Sequence, residues 1–169
     1  TCCVFLGKMA GATVVACGST EAKLERLRAL GADEVIDYAA GDFMAEVHRR
    51  FGRPHRRGFE GGVDVVINFT GGDTWVPSLR CLRRGGRLLT CGATAGFDPR
   101  EDIRYIWTYE LQVLGSNGWT RDDLTTLLAM VNDGRLKPVI DRVLPLSEAR
   151  EGIRLLADRE VIGKVLIAP

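Results

Sequence analysis

The sequence predicts an α/β fold: a parallel sheet doubly wound with helices on both of its faces. Three observations carry that reading. Short apolar runs rich in β-branched residues alternate with helical stretches along the whole 169 residues, the pattern of repeated βαβ units. The runs are nearly continuous rather than polar at every second residue, as in strands buried on both faces. Glycines and other small residues gather where the runs end, at Cys17-Gly18-Ser19, Phe69-Thr70-Gly71, Cys91-Gly92-Ala93 and Gly115-Ser116. Backbone at the carboxyl ends of such strands approaches flat ligands closely.

Each element has its own reason. Residues 1–10 read as a helix closed by Gly11, and residues 12–17 as the first strand. A helix over 20–30 aligns Leu24, Leu27 and Leu30 on one face and ends at a left-handed Gly31. Residues 34–38 form the next strand and 42–51 the next helix. The apolar run 63–69 reads as the clearest buried strand of the chain, and Asp73 is expected to cap the helix after it. That helix carries Leu79 and Leu82 inward and closes at Gly85-Gly86. Strands follow at 87–91 and 111–115. Thr120 and Asp123 resemble a capping box with Asp in the Glu/Gln place. They open a helix bearing Leu124, Leu127, Leu128 and Val131, which Gly134 ends. A last unit comprises residues 143–146, a helix over 147–158 and a strand over 164–167.

Composition narrows the class. The chain is 46% hydrophobic and 27% charged, as in ordinary soluble domains. Its formal net charge of +1 supplies no field to draw nucleic acid or a membrane surface. No run has the roughly 18 apolar residues of a spanning helix. The first residues carry neither a basic leader nor a cleavage site, so the expected compartment is the cytoplasm. The five cysteines form no C-x-x-C pair, so thiols are expected rather than disulfides or a metal site. The longest irregular stretch, 52–62, together with His48, Arg49 and Arg50, gathers five arginines and two histidines. It reads as a solvated surface loop, with phosphate or acid binding as the alternative.

Four stretches resemble the cofactor domain of the medium-chain dehydrogenases/reductases, the superfamily of zinc-type alcohol dehydrogenases and NADPH:quinone or enoyl reductases. They are Gly11-Ala12-Thr13-Val14-Val15-Ala16 with Leu30-Gly31-Ala32-Asp33; Gly62-Val63-Asp64-Val65-Val66-Ile67; Leu82-Arg83-Arg84-Gly85-Gly86-Arg87-Leu88; and Gly163-Lys164-Val165-Leu166. The segment from Cys91 to Gly96, with Asp102-Ile103-Arg104 and Leu114-Gly115-Ser116, is most similar to the zinc-type branch. The resemblance implies a Rossmann-type sheet whose first strand and glycine-rich phosphate loop would precede Thr1, since no G-x-G-x-x-G occurs in the chain. It implies a cofactor domain over 1–140 and a segment over 141–169 returning to a catalytic domain that lies outside the chain. Any zinc, and the acid/base groups, would belong to that domain.

The resemblance also assigns a site. The strand ending at Cys17 has no acid to hold a ribose 2′-hydroxyl, so NADP is expected over NAD. Ser19, Lys23 and Tyr38 would hold the 2′-phosphate; otherwise Ser19 or Thr20 is a helix cap and Lys23 a solvated side chain. Thr70, Gly71, Cys91, Gly92 and Ala93 would line the nicotinamide and its ribose, and Gly115 with Ser116 the carboxamide; the turns at 70–71 and 91–93 could also be plain strand-to-helix turns. The expected function is the cofactor-binding part of an oxidoreductase that moves hydride between NADP(H) and a small-molecule carbonyl or activated alkene, with these 169 residues inactive alone. The alternatives are a methyltransferase-like nucleotide module and a non-functional truncated product. The strand from Leu111 to Leu114 is expected to pair with its twin in a homodimer.

Overall fold

The structure is a computed structural model that describes all 169 residues. Thr1–Ala39 together with Trp119–Pro169 form one compact unit, and Ala40–Gly118 form another.

The first unit opens with α1 (Cys2–Met9), β1 (Val15–Gly18), α2 (Glu21–Ala29) and β2 (Glu34–Asp37). β1 and β2 pair in parallel, Val15 opposite Glu34 through Gly18 opposite Asp37. Thr20 caps α2 by accepting the Lys23 N–H, and Gly31 leaves the helix at φ +99°. Val4, Leu24 and Val35 are buried together, with Val14, Leu27 and Leu30 packed against them. Asp33 fastens this cluster. Its carboxylate accepts from Lys8 Nζ at 2.7 Å and from the Val14 N–H at 2.7 Å, joining α1 to the start of β1. β1 begins three residues later than the apolar run suggests, because the backbone near its start is engaged by Asp33: the Val14 carbonyl accepts the Asp33 and Glu34 N–H groups.

The second unit contains α3 (Phe43–Phe51), β3 (Val63–Ile67), α4 (Trp75–Cys81), β4 (Leu82–Thr90), α5 (Arg104–Thr108) and β5 (Gln112–Gly115). Its three strands run in parallel in the order β3-β4-β5. Leu79, Leu82, Leu88 and Leu111 form its buried centre. Three expectations change here. Asp73 does not cap α4: it lies in a 3-10 turn over Gly72–Thr74, and Thr74 occupies the cap position without a side-chain bond. The helix ends at Cys81 rather than at Gly85-Gly86. Leu82 already pairs with Val63, and residues 83–86 bulge before Arg87 pairs with Val65, Gly85 turning at φ +74°. β3 is not the buried strand its apolar run suggests, since it pairs with β4 alone and leaves Val65 and Ile67 exposed.

Returning to the first unit, α6 (Arg121–Asn132), β6 (Ile140–Pro145), α7 (Ala149–Ala157) and β7 (Lys164–Ala168) complete the chain. The capping box is present: the Asp123 N–H donates to the Thr120 hydroxyl, and Asp123 Oδ2 accepts the Thr120 N–H at 2.7 Å. β6 and β7 pair in parallel, with α7 burying Leu155 beside them. Gly152 permits this approach, because a Cβ there would sit 3.3 Å from Val165 and Ile167. The Asp141 carboxylate secures the returning chain by accepting the Ile162 N–H at 2.9 Å. Every strand pair in the protein is parallel, and the whole is an α/β, Rossmann-like fold.

Candidate functional site

In the first unit the expected 2′-phosphate residues stand at neighbouring strand ends. The Tyr38 N–H donates to the Gly18 carbonyl at 3.1 Å, which puts Tyr38 beside the segment leading to Ser19. Tyr38 is exposed and Ser19 half-buried. Thr20, not Ser19, is the cap of α2, so the Ser19 hydroxyl is not used to close the helix. Lys23 does not simply dangle in solvent. Its Nζ donates to the Arg159 carbonyl at 2.7 Å, at the turn after α7 where Arg159 takes a left-handed φ of +57°. The sequence reading missed Arg159. Its separation of 136 residues from Lys23 hid the contact, although a basic residue after a helix end was visible.

The second unit gathers its candidates through one side chain the sequence reading passed over. Asn68 is buried at the end of β3. Its Oδ1 accepts the Thr70 and Gly71 N–H groups, each at 2.9 Å. Its Nδ2 donates to Thr74 Oγ1 at 3.0 Å and to Ser78 Oγ at 2.9 Å. These bonds form the turn that presents Thr70. The cue was present: an Asn bonding the N–H groups two and three residues ahead makes a local turn. The Ala95 N–H donates to the Thr70 carbonyl at 2.7 Å, and the Gly72 N–H to the Gly96 carbonyl at 2.8 Å. Thr70, Gly71 and Ala93 are thereby brought together. The Ser116 N–H donates to the Thr90 carbonyl at 2.9 Å, which sets Gly115 and Ser116 beside the end of β4.

The glycines divide into two kinds. Gly71 is buried at φ +69°, and a Cβ there would lie 2.8 Å from that of Ala93. Its N–H is bound by Asn68 and its carbonyl by the Thr74 hydroxyl, so Gly71 shapes the turn from within. Gly115 faces open space, a Cβ there meeting nothing within 4 Å, and a Cβ at Gly92 would make only ordinary contact with Phe69, at 3.5 Å. Those two positions leave backbone accessible to a planar group. Cys91 is a free, exposed thiol.

A cavity of the same unit lies elsewhere. It is lined by α3, α4, α5 and the residues after α3, and includes none of the strand-end residues. A dinucleotide lies across strand ends as an extended molecule, so this cavity does not compete with the strand ends as its location.

The comparisons agree with the sequence resemblance. A family model described as zinc-binding dehydrogenase matches residues 30–167. The 2-haloacrylate reductase of a Burkholderia species is 33% identical over 94% of this chain and 49% of its own. The solved structure of an NAD-dependent alcohol dehydrogenase is 36% identical with a TM-score of 0.87, over 98% of this chain and 46% of that one. The structure of the 2-octenoyl-CoA carboxylase reductase CinF in complex with NADP and 2-octenoyl-CoA is 28% identical with a TM-score of 0.80, over 97% of this chain and 39% of that one. The chain spans less than half the length of the curated relatives it matches. With the family model covering most of its residues and its fold repeated in these structures, the protein belongs to the zinc-binding dehydrogenase family of the medium-chain dehydrogenases/reductases.

Proposed function

We propose that this chain is the part of an oxidoreductase that binds NADP(H) and orients it for hydride transfer to or from a carbonyl or activated alkene. The observation that carries the choice of NADP is the end of β1. It offers the Ser19 hydroxyl and, one helical turn later, the Lys23 ammonium, with no carboxylate at the strand end. An acid there would repel a 2′-phosphate; a hydroxyl and an ammonium attract it. The Arg159 carbonyl holds the Lys23 ammonium at 2.7 Å, and Tyr38 is exposed at the neighbouring strand end. Open backbone at Gly92 and Gly115 suits the nicotinamide ring, which supplies the hydride when the cofactor is bound.

Zinc does not fit these residues. No three His, Cys, Asp or Glu side chains converge to hold a metal, and no step is assigned to one here. Acid/base groups and substrate contacts are assigned to the remainder of the protein. Hence residues 1–169 alone should give no NADPH oxidation with an enone, quinone or aldehyde above a buffer control. The methyltransferase-like alternative wants an acid on the ribose at the end of β1, and the residues there do not favour it. Lys23→Ala in the full-length protein tests the assignment. NADPH affinity should fall about 5- to 30-fold, the scale of one charge-assisted hydrogen bond, with NADH nearly unaffected. Equal losses for both cofactors would remove Lys23 from the phosphate.

A further inference from the structure

We propose a second ligand site in the Ala40–Gly118 unit, for a small aromatic carboxylate, in the cavity between α3, α4 and α5. The cavity holds about 600 Å³, within the range of small-molecule sites. Its walls are mostly apolar: Met44, Pro54, Val76 and Pro77, with Tyr105 and Tyr109. The two tyrosine rings stack at 4.2 Å, giving a rigid wall that a flat ring can pack against.

The charge at this cavity points to an anion. No carboxylate lines it. Arg80 is largely engaged: its guanidinium lies 4.1 Å from the Tyr105 ring centre and Nη2 donates to Glu101 at 3.3 Å. Its Nε–H and the Glu101 Oε2 are both buried without a partner, so this pair adds no free charge to the cavity. Arg53, exposed at the rim, enters no ion pair, unlike Arg49 and Arg50, which are held by Glu46. His48 donates through Nε2–H to the Arg80 carbonyl, 2.9 Å away, so its ring is oriented across one wall. The unpaired Arg53 guanidinium at the rim and the flat apolar walls together match a carboxylate carried on an aromatic ring. The basic stretch after α3 thus serves acid binding in its Arg53 rather than as a uniform charged surface.

This site is separate from the strand-end candidates within the same unit. Pro54 stands against Gly62, whose added Cβ would lie 2.9 Å from the proline ring. Gly62 immediately precedes β3, whereas Thr70 and Gly71 follow its other end. An occupant should therefore bind without displacing NADPH.

The test is titration of the full-length protein with 2-naphthoate, and with neutral 2-naphthamide, followed by calorimetry and by amide NMR shifts. Saturable 2-naphthoate binding is expected, unchanged by saturating NADPH, with shifts centred on residues 44–54, 76–80 and 105–109. The amide analogue, and 2-naphthoate on Arg53→Gln, should each bind about ten-fold or more weakly. Arg53 is exposed, so this variant should fold. Equal affinity of acid and amide, an undiminished Arg53→Gln, or shifts centred on residues 18–23 or 69–93 would each overturn the proposal.

Discussion

Asn68 shows how much of a site can rest on one side chain that is itself no ligand. It satisfies two backbone N–H groups and meets Thr74 and Ser78 within a buried turn. Asn68→Ala strands both N–H groups beside a cavity, and chemical denaturation should report a loss of about 2–4 kcal/mol. A loss under 1 kcal/mol would mean that solvent or a neighbour replaces the amide. Acid stability belongs to this scale as well. The Lys8 ammonium, then the Val14 N–H, hold the Asp33 carboxyl below its ordinary range; the Arg104 guanidinium beside Asp102 lowers that carboxyl to about 2. Both folded values lie under the unfolded one, so the stability they supply is complete above about pH 4 and is lost as pH falls through the folded values. Asp33→Asn should lower the melting temperature at neutral pH and flatten its decline below about pH 4; an unchanged slope there would exclude Asp33 as a source. At this scale the sequence disclosed what is local. The Thr120–Asp123 box and the Thr20 cap are written in adjacent residues, whereas the bond from Lys23 to Arg159 spans 136 positions and no local pattern announces it.

At the scale of elements, strand ends and turns decide what the chain can offer a ligand. The alternation of apolar runs with helical stretches was enough to locate nearly every element and the parallel pairing. It did not locate the end of α4. Leu82 is apolar and buried, which suits either a helix or a strand; pairing with Val63 decided for the strand. Burial of β3 was likewise overestimated, because its apolar residues show what it can pack against and not what is there. The turn at Gly71 makes the sharpest element-level prediction. Gly71→Ala would force a left-handed backbone on alanine and drive its Cβ against Ala93. We expect a destabilisation of about 1–3 kcal/mol and weakened NADPH binding from displacement of Thr70 and the 93–96 turn. Wild-type stability with unchanged binding would show that this turn can open at no cost. Gly92→Ala, whose Cβ would make only ordinary contact with Phe69, should leave stability unchanged within about 0.5 kcal/mol and yet impair the cofactor; an unimpaired cofactor would remove Gly92 from its site.

For the whole molecule, the exposed strand edges suggest association and the strand ends suggest the cofactor. β5 is the outer strand of its sheet, and Val113 and Leu114 are exposed on it, while Leu111 turns inward to the buried leucines. The pairing surface expected from Leu111 to Leu114 thus begins at Gln112. An exposed apolar edge without Lys or Pro invites a partner strand, and a two-fold dimer closes it. We propose that the full-length protein is a homodimer through this edge; sedimentation at micromolar concentration should give twice the monomer mass, and a monomer would contradict it. Nicotinamide binding with preference for the 2′-phosphate is tested most directly by calorimetric titration of the full-length protein, in parallel, with NADPH, NADH and S-adenosylmethionine. NADPH should bind saturably, NADH more weakly and S-adenosylmethionine not at all; binding of S-adenosylmethionine without NADPH, or of NADH in preference to NADPH, would exclude a 2′-phosphate site at the end of β1.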